Sequence, residues 1–355
     1  DLSRETGISA PTVSKAVNDL LKLGFLEETT QSNNSLGRPG MKVRLATQKS
    51  RVLGIVLDSE ECVVVPALLD GTTEDEKAIR FTPPDDYLDL LKQLAAAIAS
   101  LSAGSDVSVL GIGISSPGLI SFSSQTSLLV PSMEVLGSQC IAVDLERETG
   151  FTTLAMQESR ALCLAENLFG SARFLKDFVM MDVGTWLSLG IFSNGSLFNG
   201  NDGLTGQLGH ITVDPAGSRC RCGNQGCLGT IATDKALTAS VNARSGQSLT
   251  VAELFQRIRS GAMRVDAELS QVTDYLAIGV AAVINLFNPG TIYLHGRMLG
   301  VTSDFLGSLI RSVRQRALPP SFEQCTIQAA TVNRLHGAVA AIVHHLTLNV
   351  GPRLG

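Results

Sequence analysis

The residues with the clearest capacity for chemistry lie in GHITVDPAGSRCRCGNQGCLG, 209–229, where His210, Cys220, Cys222 and Cys227 fall within eighteen positions. Three of the seven cysteines sit between 220 and 227, separated by glycines that let a backbone turn tightly around a small object. Zn²⁺ asks for four soft or borderline ligands in a tetrahedron, and three thiolates with one imidazole are one of its standard structural sets. The competing readings are a chance cluster of reduced thiols, or one disulfide with a spare cysteine. The other four cysteines, Cys62, Cys140, Cys163 and Cys325, are scattered and read as buried, inert thiols.

Holding such a loop in place needs a core, and 355 residues with 44% hydrophobic and 17% charged content describe a folded chain of two or three domains. No apolar run approaches the ~18–20 residues of a membrane span, so no membrane insertion is expected. DLSRETGISAPTVSK carries no apolar export signal, which predicts a cytoplasmic protein with reduced thiols and favours metal over disulfide. The net charge of −5 argues against a globally basic nucleic-acid binder. Yet residues 1–50 carry seven Lys/Arg against five Asp/Glu, leaving the remainder at −7, as for a small DNA-contacting module on an acidic body.

Within SAPTVSKAVNDLLKLGFLEE, Ser9 reads as an N-cap, Pro11 as a first-turn residue and Gly24 as the stop. Val13, Ala16, Val17, Leu20 and Leu21 fall on one helical stripe, and Thr12, Ser14, Lys15 and Asn18 on the opposite face. With the shorter helical stretch DLSRETGIS before it, this predicts a helix-turn-helix whose second helix offers Thr12, Ser14, Lys15 and Asn18 to the major groove of double-stranded DNA. Phe25–Glu28 and Met41–Leu45 read as two short strands forming a wing, with Arg38 at its tip facing a minor groove. The pattern reads as starting inside the motif, with the first helix missing before Asp1. A generic three-helix interaction domain is the alternative.

From Arg51 onward, β-branched runs such as RVLGIVLD, VSVLGIGIS, FVMMDVG and TIYLHG alternate with helical spacing over Asp86–Leu101, Arg160–Phe169, Thr273–Phe287 and Arg334–Leu346. The class is α/β, with expected domains 1–49, 50–165 and 166–355.

At this point the chain resembles the ROK family, and within it the NagC/Mlc-like transcriptional regulators. The resemblance rests on the helix-turn-helix with its GRP wing, on SSPGLI at 115–120, on LAENLFG at 164–170, and on NPGTIYLHG. It rests also on the GxxGxxGxLGHxxxDPxGxxCxCGxxGC box that begins at Gly200. It implies a two-lobed actin/hexokinase-like (sugar-kinase-like) body behind a winged helix-turn-helix, with zinc on His210, Cys220, Cys222 and Cys227.

The family's kinases use a DxGGT phosphate loop. Here Val56 stands for its Asp, and Asp58, Ser59 and Glu60 for Gly-Gly-Thr. Carboxylates repel a polyphosphate, and their side chains prevent close backbone approach. The second family loop, GTGxGGG, reads Gly184-Thr185-Trp186-Leu187-Ser188-Leu189-Gly190, with the chain's one tryptophan inside it. ATP binding is therefore expected to be lost. Of the positions that contact sugar in the kinases, the base pair Asn-Asp becomes Gln157-Glu158, the glutamate before the histidine becomes Gln207, the asparagine becomes Ser132, and a later glutamate becomes Gly229. Only His210 matches. Ser132, Gln157, Glu158, Gln207 and His210 are thus the candidate effector contacts, and Glu158 reads equally as a solvated helix-start carboxylate.

The expected function is a DNA-binding transcriptional regulator, read as a repressor, of carbohydrate-related genes. A catalytically degenerate kinase-like domain would serve as effector sensor and as the scaffold of a homodimer or homotetramer. The effector would be a sugar, a sugar phosphate or a transport-protein partner. A sugar kinase with an altered nucleotide loop and Glu158 as base is the enzymatic alternative, and a protein-interaction scaffold the third.

Overall fold

The computed structural model describes residues 2–29, 42–103 and 107–350. Helix α1 (Leu2–Thr6) ends at Gly7, whose φ of +68° favours glycine. Helix α2 (Ala10–Lys22) follows Ser9 and stops before Gly24, where φ is +78° and a Cβ would lie 2.8 Å from Ser50 Oγ. Two details differ from the sequence reading. The Ser9 hydroxyl bonds Thr12 Oγ1 at 2.8 Å and caps no backbone N–H, and Ala16 is exposed, so the apolar stripe is narrower, with Val17 its buried member. Strand β1 (Leu26–Glu28) pairs antiparallel with β2 (Val43–Leu45). Glu27 fastens that hairpin, accepting from Arg44 Nε at 2.7 Å and from the Gln48 N–H at 3.3 Å. Against the upward push of burial, these donors hold its carboxyl below the usual carboxylate range.

The chain divides into two compact units, the first made of 1–120, 124–156 and 334–355, and the second of 121–123 with 157–333. In the first unit, β3 (Ser50–Val56), β4 (Cys62–Ala67) and β5 (Ile79–Phe81) form an antiparallel meander. After α3 (Tyr87–Ser102) comes β6 (Ser108–Ser116), parallel to β3. A small ribbon, β7 (Leu119–Ile120) with β8 (Ser127–Leu129), leads to α4 (Ile141–Thr149) and β9 (Thr153–Gln157). The sheet order is β5-β4-β3-β6-β9. Helix α3 is capped by Asp86, which accepts from the Asp89 N–H, and buries Leu90, Leu94, Ala97 and Ile98.

The helix Arg334–Val350 covers this sheet, lying on β3 and β6. It approaches closely because β6 carries glycine there. A Cβ at Gly113 would come within 1.9 Å of Ala338 O, and one at Gly111 within 2.9 Å of Ile342. That helix therefore belongs with the first unit, whereas 166–355 had been expected as one lobe. The other difference falls at 157, where β9 gives way to a helix that packs with the second unit.

The second unit begins with α5 (Glu158–Leu168), followed by the meander β10 (Phe178–Val183), β11 (Leu187–Ser193) and β12 (Ser196–Leu197). Beyond the cysteine loop come α6 (Asp234–Ser245), α7 (Val251–Arg259) and α8 (Asp266–Phe287), then β13 (Thr291–His295), parallel to β10. Helices α9 (Phe305–Arg314) and α10 (Pro319–Glu323) precede β14 (Thr326–Ala329), parallel to β13. The sheet order, β12-β11-β10-β13-β14, repeats that of the first unit. Helix α8 is long and apolar enough to cross a membrane by composition, contrary to the sequence expectation that no run approaches that length. Half of its most apolar window is buried within this unit, where Val272, Leu276, Val280 and Ile284 join the core.

Replacing Gly113 by Ala should cost about 2–3 kcal/mol through forced backbone movement. Gly290→Ala, with nothing within 4 Å of its Cβ, should stay within about 0.5 kcal/mol. Denaturant unfolding compares them, and equal losses would refute the close-approach account.

Candidate metal centre and ligand-facing residues

His210 ends a short 3₁₀ turn, Leu208–His210, while Cys227 immediately precedes another, Leu228–Thr230, whose Leu228 is fully buried. Between them the chain doubles back through isolated bridges, Thr212 with Cys227 and Arg219 with Gln225. Gly226 makes the return possible: its φ is +66°, and a Cβ would stand 1.5 Å from Asp214 O. The Cys220–Gly223 turn is closed by the Gly223 N–H donating to Cys220 O at 3.0 Å.

This folding gathers all four predicted ligands, with their donor atoms within 4.8 Å of one another. Cys220 Sγ lies 3.6 Å from His210 Nδ1, and Cys222 Sγ lies 3.7 Å from Cys227 Sγ. Metal bonds of ~2.3 Å to sulfur and ~2.0 Å to nitrogen place tetrahedral neighbours roughly 3.5–3.8 Å apart, so the spacing fits a four-coordinate ion. A disulfide needs ~2.05 Å, and all three cysteines are free. Burial, then the neighbouring thiols, pushes Cys227 up to about 12, whereas the Asn224 backbone N–H draws Cys222 down. Three thiolates this close repel one another, and a divalent cation is the chemistry that offsets the repulsion. Burial lowers the His210 pKa, favouring the neutral imidazole a metal requires.

The candidate effector contacts separate. Ser132 lies in the first unit, its Oγ buried and without a hydrogen-bond partner among the described residues. Gln157, Glu158, Gln207 and His210 lie in the second. Gln207 Nε2 donates to Gln157 Oε1 at 3.5 Å and to Thr205 O at 2.9 Å, so those two amides meet. The His210 ring instead faces the cysteines. Glu158 opens α5 and is only 6% exposed, which removes the solvated-carboxylate reading.

The residues standing in for the family's phosphate loops make internal contacts. Asp58 Oδ2 accepts from Arg334 Nη1 at 2.9 Å, and Asp58 Oδ1 from the Glu60 N–H at 3.0 Å. The Gly184 N–H donates to Trp186 O at 3.0 Å, closing the β10–β11 turn on itself. At the ends of β10 and β13, His295 Nδ1 lies 2.7 Å from Asp182 Oδ1. The sequence places His295 at a strand end without a role, and no spacing in the sequence joins it to Asp182.

Sequence reasoning also missed Arg160, which is 2% exposed on α5. Its only signal is an arginine directly before the apolar stretch Ala161–Ala165. Thr12, Ser14, Lys15 and Asn18 are all exposed on α2, as expected, whereas Arg38 lies outside the described residues.

Elemental analysis should find one tetrahedrally bound divalent ion per chain. Stripping it, or Cys227→Ser, should lower the melting temperature and open 209–229 to limited proteolysis. Native protein free of metal with an unchanged melting temperature would remove the site.

The family model described as the ROK family matches residues 61–345. The xylose repressor of Bacillus spizizenii is 26% identical over 324 residues, covering 90% of this chain and 83% of that protein. The DNA-binding transcriptional repressor Mlc of Escherichia coli is 26% identical over 343 residues, covering 93% and 84%. The crystal structure of a ROK family transcriptional regulator, a homologue of the E. coli Mlc protein, superposes with a TM-score of 0.84 at 25% identity, over 99% of this chain and 93% of that one. A ROK family glucokinase from Streptomyces griseus, 20% identical over 82% of this chain and 97% of its own, has a TM-score of 0.72 and so shares the fold. With the family model spanning well over half of its length, the chain belongs to the ROK family.

Proposed function

We propose that this chain is a DNA-binding transcriptional repressor of carbohydrate-related genes. Its kinase-like body acts as an effector sensor and oligomerisation scaffold, and phosphorylates nothing. The observation that carries the reading is likeness along nearly the whole chain, over 90% and 93% of it to curated repressors and over 99% of it to the structure of a transcriptional regulator. Helices α1 and α2 with the β1–β2 hairpin serve as a winged helix-turn-helix, and Thr12, Ser14, Lys15 and Asn18 face the operator. Two-fold operators are read by paired units, so the working species is a homodimer or homotetramer.

The loss of kinase chemistry is supported by charge. Asp58, Glu60 and Glu61 follow β3 where a polyphosphate would need open backbone, and Arg334 is already engaged by Asp58. His210, Cys220, Cys222 and Cys227 would hold Zn²⁺, their three thiolates and one imidazole being a standard structural donor set. Bound there, the ion would supply anchoring of the turn between the loop after β12 and helix α6. Gln157, Glu158 and Gln207 provide amide and carboxylate groups suited to the hydroxyls of a sugar-derived effector.

Operator binding should fall steeply with salt. Lys15→Ala should weaken it by about 1–2 kcal/mol at fixed salt, measured by fluorescence anisotropy. Undiminished affinity would show that α2 is not the reading helix. Incubation with ATP and a panel of hexoses and amino-hexoses should give no turnover. Turnover lost on Glu158→Ala would establish a kinase instead.

A further inference from the structure

The sequence holds two Asn-Gly pairs, Asn194–Gly195 and Asn199–Gly200, on either side of the short strand β12. In such a pair the side-chain amide is open to attack by the next backbone nitrogen, because glycine puts no Cβ in the path. The structure treats the two pairs differently. In the β11–β12 turn the Gly195 N–H donates to Lys176 O at 2.9 Å, and the Asn194 N–H to Asp177 Oδ1 at 3.0 Å. The nitrogen that would attack is occupied there, and a carboxylate stands beside it. Gly200, by contrast, is exposed, and its N–H makes no hydrogen bond among the described residues. Its φ is +56°, and a Cβ would stand 2.3 Å from Thr205 Cγ2, so the loop requires glycine at this position.

Asn199 also has an activating neighbour. Its Oδ1 accepts from Arg160 Nη2, while Arg160 Nη1 donates to Gly203 O at 3.3 Å. Both acceptors are neutral. Arg160 is 2% exposed, its Nε is buried and unpartnered, and it joins no ion pair among the described residues. Burial draws its pKa below the usual arginine value, and a buried cation without a carboxylate is unfavourable. A guanidinium on Oδ1 withdraws charge from the Asn199 Cγ and stabilises an oxyanion forming there.

We propose that Asn199 is a site of spontaneous deamidation, in which Arg160 promotes loss of the amide and gains the carboxylate it lacks. The Gly200 nitrogen bonds to Asn199 Cγ, the Cγ–Nδ2 bond breaks, and the Gly200 N–H proton leaves with Nδ2 as ammonia. Water then opens the five-membered imide. Its oxygen bonds to Cγ, the Cγ–N bond breaks, the Gly200 nitrogen recovers a proton, and the new carboxyl group releases one. Nothing is oxidised or reduced. Opening at the backbone carbonyl would instead give the isoaspartyl isomer, but the guanidinium polarises Cγ and directs water to it. The product replaces a neutral contact between α5 and the loop after β12 with a charge-assisted one. That loop runs on to Gln207 and His210, so an ageing chain holds the segment carrying His210 more firmly.

Peptide mapping by mass spectrometry, on the whole chain incubated at neutral pH, should show amide-to-acid conversion at Asn199 about tenfold faster than at Asn194. The product should be mainly aspartyl, which fragmentation separates from isoaspartyl. Arg160→Met should bring Asn199 down to the Asn194 rate. Asn199→Asp should raise the melting temperature of the whole chain, but not in the Arg160→Met background. Equal rates at the two asparagines, a mainly isoaspartyl product, or a rate that survives Arg160→Met overturns the proposal. So does an Asn199→Asp chain no more stable than the native one. The comparison within the native chain and the Asn199→Asp shift decide the matter even if Arg160→Met fails to fold.

Discussion

A helix can rest on a β-sheet at backbone contact distance only where the sheet carries no Cβ in the way. Gly111 and Gly113 on β6 meet that condition, and the small face of the last helix, with Ala338 and Ile342, occupies the space they leave. Gly54 on β3 adds to the same flat surface, its Cβ position 3.1 Å from Val339. This contact draws the chain's final helix back onto the sheet built from residues 50–157. It makes the second unit, apart from 121–123, an uninterrupted excursion from 157 to 333. Among the described residues, every candidate contact except Ser132 and the α2 face hangs on that excursion.

Inside the excursion, buried charge decides local geometry. Glu166 is fully buried and accepts from the Ser171 N–H and hydroxyl and from the Thr331 N–H and hydroxyl, which ties the end of α5 to the segment after β14. Four donors on one carboxylate satisfy it without a cation. Arg160, six residues earlier, has no such closure. Of the buried ionisable residues on the same helix, Glu166 is fully answered, whereas the Arg160 Nε has no partner. The cysteine loop shows a comparable division. Its four donors converge, while Gly229 lets the turn at 228–230 press against Gly209, its Cβ position only 3.1 Å from Gly209 O. A glutamate there would have to displace that packing.

The legibility of the chain followed the range of the interactions. The cysteine loop was readable because its ligands and its turn glycines lie within one short segment, and the α/β class because strand and helix periods are local properties. Helices α3 and α5 and the final helix began within two residues of their expected positions, while α8 started seven residues earlier, where polar residues mask its first turns. The short helices α7 and α9 are strongly amphipathic and were passed over for their length, while the edge strands β5 and β14 are too short for their period to stand out. The sequence offered no means of seeing that Arg334 meets Asp58, 276 positions away, or that His295 meets Asp182. Both pairs are consequences of parallel strand order and of the helix that returns at the end.

That return also orders the chain in time. The second unit's sequence is complete once residue 333 has been made, and its sheet, cysteine loop and Glu166 clasp need nothing later. The first unit's sheet waits for residues 334–350 to cover β3 and β6. During synthesis the segment that emerges early is thus among the last to gain its full support. A product ending before residue 334 would carry a complete second unit and a first unit whose β6 glycine face is left bare.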